Sequence, residues 1–156
     1  MVAYTDSLGF YKNSVGFTAN YTQRTSVVEI DIDFRKIAAA RTAAGATALA
    51  ATDTLVIGTL PKGSYVVAAA LTLVRAEGAA ATIDVGVSGS ATLFANSFDL
   101  NVAVGTTVGV TNGARYQTAN TDILMTIDTN STDVARVKVA LVMIDMGAEL
   151  GVIPSA

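Results

Sequence analysis

The residues of this chain best suited to chemistry are carboxylates. Glu29, Asp31 and Asp33 recur at every second position of the stretch SVVEIDID, residues 26–33, which on one face of a strand sets them about 7 Å apart. Clustered oxygens could hold Ca²⁺, but neither EF-hand spacing nor an Asp-Gly repeat accompanies them, and a solvated outer face accounts for them better. Asp84, Asp122, Asp128 and Asp145 also fall in strand-like stretches. Retaining glycoside hydrolysis would need two such carboxyls about 5–5.5 Å apart, and nothing in the order of residues pairs any two of them. Gly86-Val87-Ser88-Gly89-Ser90 lacks the Lys and the amphipathic helix of a phosphate-binding loop. His, Cys and Trp are absent. That removes the usual general base, the commonest transition-metal ligand and every Ser-His or Cys-His nucleophile pair. We assign no catalytic residue, no cofactor and no metal, and expect no enzyme. Asn20-Tyr21-Thr22 and Asn130-Ser131-Thr132 match the glycosylation pattern, which is short enough to arise by chance.

Composition bounds the rest. At 156 residues the chain fits one domain, able to bury about 68–70% of its unfolded surface. Charged residues make up 15% of it and hydrophobic ones 51%, with a mean hydropathy of +0.49, whereas about 25% charged is usual. So few charges poorly clothe a solitary small domain, and much of the surface is expected to meet other protein, most simply copies of itself. The alternative is a monomer covered by small Ala and Thr side chains. Net charge is −3 and no basic stripe is visible, so direct contact with nucleic acid is not expected. The most apolar charge-free run, residues 63–74, falls short of the roughly 20 residues that cross a bilayer. No basic residue precedes an apolar block at the N-terminus, so no membrane segment and no signal peptide are expected.

Period-two alternation predicts the elements that carry these residues. Val28, Ile30 and Ile32 face inward, with Val27, Glu29, Asp31 and Asp33 outward. The period then changes: Phe34, Ile37, Ala38 and Arg41 share a helical side, which predicts one short helix over about 34–44 with Asp33 as N-cap and Gly45 as C-cap. Arg35, Lys36 and Arg41 read as solvated charges that an acidic partner could also meet. Strands follow at 55–60, closed by the turn Pro61-Lys62-Gly63, and at 64–74, which is apolar on both faces and so central. There Tyr65, Val67, Ala69, Leu71 and Leu73 alternate with Val66, Ala68, Ala70, Thr72 and Val74. Ala81, Ile83, Val85 and Val87 line one face of the next strand, and the turn at 76–80 with Gly78 predicts an antiparallel hairpin of the two. Further strands are expected at 92–98, once within 101–113, at 122–128 and at 134–146, the last with Val137, Val139, Leu141 and Met143 on one face. Seven or eight strands with a single helix make an all-β fold, a β-sandwich of the jelly roll type, over residues 26–146.

Residues 1–25 differ, and are expected to form an extended N-terminal arm, with a C-terminal tail at 147–156. Tyr4, Phe10, Tyr11, Phe17 and Tyr21 lie in the arm, and it contains a tandem heptad, Ser7-Leu8-Gly9-Phe10-Tyr11-Lys12-Asn13 followed by Ser14-Val15-Gly16-Phe17-Thr18-Ala19-Asn20. Two copies are too few for a solenoid. They suit an arm presenting the same aliphatic-Gly-Phe hook twice, and Phe10, Tyr11, Phe17 and Tyr21 are the candidate partner-binding residues. The alternative is that these aromatics fold back onto the domain's own sheet.

The runs DIDFRKIAAARTAAGA (31–46), DTLVI (53–57), LPKG (60–63) and AEGAAATIDVG (76–86) resemble small structural proteins of tailed bacteriophages, of the kind that decorate or cement a capsid. The resemblance spans about residues 28–88 and carries no catalytic or binding signature. It implies a β-sandwich, often a homotrimer, on the outside of the head where capsomers meet. Its partners would be the major capsid protein and copies of itself. A phage tail or fibre component with a binding role, and a carbohydrate-binding module, are the alternatives, though each would be expected to expose aromatic loop residues and the loops offer mainly Tyr116.

Overall fold

The computed structural model describes residues 3–5, 11–14, 24–110 and 115–145. Among these residues lie eleven strands and one helix: β1 (Ala3–Thr5), β2 (Tyr11–Ser14), β3 (Arg24–Asp33), α1 (Phe34–Ala43), β4 (Thr54–Leu60), β5 (Ser64–Arg75), β6 (Thr82–Val87), β7 (Ser90–Asp99), β8 (Thr107–Val110), β9 (Arg115–Tyr116), β10 (Thr121–Thr129) and β11 (Arg136–Asp145). They form two antiparallel sheets. The larger runs β1-β2-β3-β11-β5-β8, with β9 also on β5, and the smaller runs β4-β10-β6-β7.

Leaving aside the short β1, β2 and β9, the chain changes sheet at every step except from β6 to β7. Eight strands alternating in this way between two four-stranded layers make the jelly roll expected from the pattern. The same alternation overturns the expected hairpin of 64–74 with 81–88. β5 pairs with β11 and β8, whereas β6 pairs with β10 and β7. Glu77 is the physical reason. Its side chain is buried, and its carboxylate accepts the backbone N–H groups of Asp133, Val134 and Ala135, the last at 2.7 Å, while its own N–H donates to the Leu100 carbonyl. A hairpin tip would leave that carboxylate in water. Here it pins a crossover between the layers.

A second correction concerns β5. Its register against β11 slips between Val66 and Ala68, a bulge that places two residues of one strand opposite one of the other. Val66, Ala69, Leu71 and Leu73 are buried, so Val66 belongs with the inward set and Val67, which is 39% exposed, does not. Beyond the bulge the expected alternation holds. β11 buries Val137, Val139, Leu141 and Met143, and β6 buries Ile83, Val85 and Val87, which meet Ile127, Met125 and Ile123 of β10 in direct register. With Phe34, Phe94 and Leu71 these side chains fill the space between the sheets.

The helix starts where the alternation ends. Asp33 caps it by accepting from the N–H of Arg35, and Phe34 is fully buried while its N–H donates to the Ala135 carbonyl. Ala44, rather than Gly45, is the C-cap. Gly45 stands one residue further on at φ +68° and donates to Thr42, the left-handed turn that a residue without Cβ enters freely. The Pro61–Gly63 turn is present, with Gly63 at φ +84°.

Candidate functional site

The carboxylate row on β3 faces outward as expected, and each acid meets a base, two of them from the adjacent β11 and one from β5 beyond it. Lys138 Nζ lies 2.5 Å from Glu29, Arg136 holds Asp31 through both Nε and Nη2, and Arg75 Nη2 lies 2.5 Å from Asp33. None of these pairs is straight across. Asp33 stands opposite Arg136, Asp31 opposite Lys138 and Glu29 opposite Ala140, so β11's bases lean one pair along the ladder, as long side chains can on diagonal neighbours. The guanidinium hydrogen bond from Arg136 holds the Asp31 carboxyl below its usual range. At Asp33, burial pushes the carboxyl up, but the bond and charge of Arg75 with the N–H of Arg35 outweigh it and the net direction is down. Asp31 reciprocally raises Arg136. The row is internally neutralised, and among the described residues no three His, Cys, Asp or Glu side chains converge as a metal site requires.

Beside these pairs the same face turns apolar. Register sets Glu29, Ala140, Ala70 and Gly109 in one row, Val27, Val142 and Ala68 in the next, and Thr25, Ile144 and Tyr65 in the third. Val27 is 53% exposed, and the β5 bulge adds Val67 to the strip. Of the four candidate partner-binding residues, Tyr11 lies in β2, where it stands opposite Val27 and so prolongs the Val27 row. Phe10, Phe17 and Tyr21 lie outside the described residues, as does the 147–156 tail.

The smaller sheet is more polar outside, although Val56 of β4 is 62% exposed. Asp84 accepts the Ser97 N–H at 2.7 Å, Asp128 accepts the hydroxyls of Ser97 and Thr82, Asp122 accepts from Thr59, and Thr54 bonds Thr126. These acids take hydroxyl and backbone N–H donors from other strands of the same sheet. They structure a polar skin and form no acid-base pair.

Where the two sheets' edges meet, β3 and β4 stand apart around a notch of about 290 Å³ lined by Val28, Ile30, Ile57, Gly58, Leu60, Ile123 and Met143, with Glu29 and Asp31 at its rim. Sequence reasoning missed both this notch and the Val27 strip. The strip's signal was readable: Val27 interrupts an otherwise acidic outward face, and Ala140, Val142 and Ile144 continue the face that begins with Arg136 and Lys138.

No model of a known protein family matches the chain, and no curated protein sequence does. Solved structures do match it. A chain in the capsid asymmetric unit of cyanophage Pam1 superposes with a TM-score of 0.60 at 17% identity, over 85% of this chain and 92% of that one. One in the acid-stable capsid of Helicobacter pylori bacteriophage KHP30 gives 0.55 at 12% identity, over 88% and 94%. One in the capsid of Ralstonia phage GP4 gives 0.54 at 17% identity, over 87% and 92%. What these likenesses show is the fold, shared across nearly the whole of both chains in each case.

Proposed function

We propose that this chain is a structural protein of a bacteriophage virion, seated on the outside of the capsid as a homotrimer and stiffening the shell by bridging copies of the major capsid protein, with no enzymatic role. The observation that carries this reading is the whole-domain likeness to chains of phage capsids. Because it spans both partners almost completely, it is not a likeness to one module of a larger protein. The low charge content supports it, as does the apolar strip on the outer face of the larger sheet. An apolar strip beside self-neutralised ion pairs is suited to lie against protein.

Purified particles of the phage that encodes this chain test the reading. Mass spectrometry is expected to find the chain in many copies per particle, and imaging to place it outside the shell as threefold features. Particles assembled without it should release their DNA at a lower temperature and recover when purified chain is added. Its absence from purified particles overturns the proposal.

A further inference from the structure

The edge of the larger sheet is incomplete. β2 pairs with β3 only from Arg24 to Val27, and from Val28 to Asp33 no strand lies on that side of β3 among the described residues. Among the described residues no strand takes the alternate N–H and C=O groups there, which suit an added strand. The notch opens beside them. Gly58 borders it without a side chain, and a Cβ there would come within 3.3 Å of both Ile30 and Ile123, so the space depends on glycine.

We propose that this notch takes the aliphatic-Gly-Phe hook of a second copy of this chain, laid along β3 as an added strand. The proposal rests on the oligomeric reading above and names the contact. Register argues for it. Tyr11 stands opposite Val27, so a strand carrying β2's pairing onward sets its next three positions opposite Val28, Glu29 and Ile30. Val28 and Ile30 line the notch while Glu29 faces out, and residues directly opposite share a face. In the heptad those three positions, counted backwards from Tyr11, are Phe, Gly and an aliphatic residue. Both apolar side chains then enter the notch, and glycine leaves the outward position beside Glu29 empty.

The first hook falls in sequence between β1 and β2, which pair with Thr5 opposite Tyr11. The second hook, Val15-Gly16-Phe17, leaves β2 at Ser14, opposite Arg24, at the end of the pairing remote from the notch. It opens the connection 15–23, and Phe17, three residues beyond Ser14, can stand at most about 10 Å from it, so it reaches a neighbour whose notch abuts that end of β2. Donation from copy to copy in one direction closes into a ring, as a trimer requires.

The chain lacks Cys, so introduced thiols report cleanly. Two differently tagged chains, one carrying Val15→Cys and the other Ile30→Cys, are co-expressed and oxidised. The expected product is a covalent heterodimer of the two. Phe17→Ala is expected to lower the light-scattering mass threefold while the chain stays folded by circular dichroism, a readout that stands even if Ile30→Cys folds poorly. The proposal is overturned if no heterodimer forms, if a chain carrying both thiols bridges only within itself, or if Phe17→Ala keeps the parental mass. These measurements use the purified chain, so their failure leaves virion membership intact, and absence from virions leaves them standing.

Discussion

Arg136 grips Asp31 with two donors although the residue straight across from it is Asp33. The same lean takes Lys138 to Glu29, and it frees Asp33 for Arg75 of β5. Three strands are thus tied by charges offset along the sheet, and the row behaves as a stitched seam at one end of an otherwise apolar face.

The seam sets the response to acid. Asp31 and Asp33 titrate below the ordinary 3.8 in the folded chain. A carboxyl whose folded value is depressed contributes stability that is complete above its unfolded value and is lost as pH falls through the folded one. Melting temperature is therefore expected to fall as pH drops below about 4, more shallowly in Asp31→Asn than in the parent. Because these pairs are partly exposed, salt should weaken the effect. Parallel acid limbs in the two proteins would contradict it.

Glu77 is the costlier residue to lose. Glu77→Ala leaves the N–H groups of Asp133, Val134 and Ala135 without their acceptor, at about 1–3 kcal/mol for each that stays dry. We expect a loss of at least about 3 kcal/mol in urea unfolding, and a smaller one for Glu77→Gln, which keeps one carbonyl oxygen.

Gly86 tests the β6–β7 turn. A Cβ there would sit 2.1 Å from the Ser90 carbonyl oxygen and 2.4 Å from the Ala91 carbonyl carbon, both backbone atoms that cannot swing aside. Gly86→Ala is expected to cost about 3 kcal/mol or more, the upper range for overpacking. Gly58→Ala meets only side-chain ends and should cost less. Equal melting temperatures for the two would refute the assignment.

Thr132 is 1% exposed and its hydroxyl has no hydrogen-bond partner among the described residues. Replacing an unsatisfied buried hydroxyl with a methyl removes a desolvation cost, so Thr132→Val should stabilise by about 1 kcal/mol. A destabilised variant would reveal a bond that the hydroxyl makes.

The apolar strip gives a variant that separates binding from folding. Val27 is more than half exposed, so Val27→Lys should change stability by no more than about 0.5 kcal/mol while reducing occupancy on capsids lacking the native chain. Deleting residues 1–21 should abolish binding and leave the sandwich folded. Full occupancy by the deletion chain would exclude a role for the arm.

Much of this fold was legible because alternation on β3, β6 and β11 is clean and Asp33 marks a sharp change of period. What alternation does not encode is partnership. Ser64–Arg75 and Thr82–Val87 look like neighbours across a glycine turn, but whether Glu77 faces water or three buried amides depends on the loop before β11, more than fifty positions away. The bulge at Val67 was hidden because both faces of β5 are apolar, and a slip of one residue leaves no polar side chain in the core to betray it. The carboxylates were visible, yet their partners Arg136 and Lys138 lie over a hundred residues off. For Phe10, Phe17 and Tyr21 the sequence supplied an expectation and the described residues supply no position.

The pairing of β3 with β11 along its full length, from Arg24–Asp145 to Asp33–Arg136, bears on when this protein comes into being. More than a hundred residues separate the two strands at the middle of the larger sheet, so that sheet cannot close before β11 is in place. Folding is slowed by the wide loops it must gather.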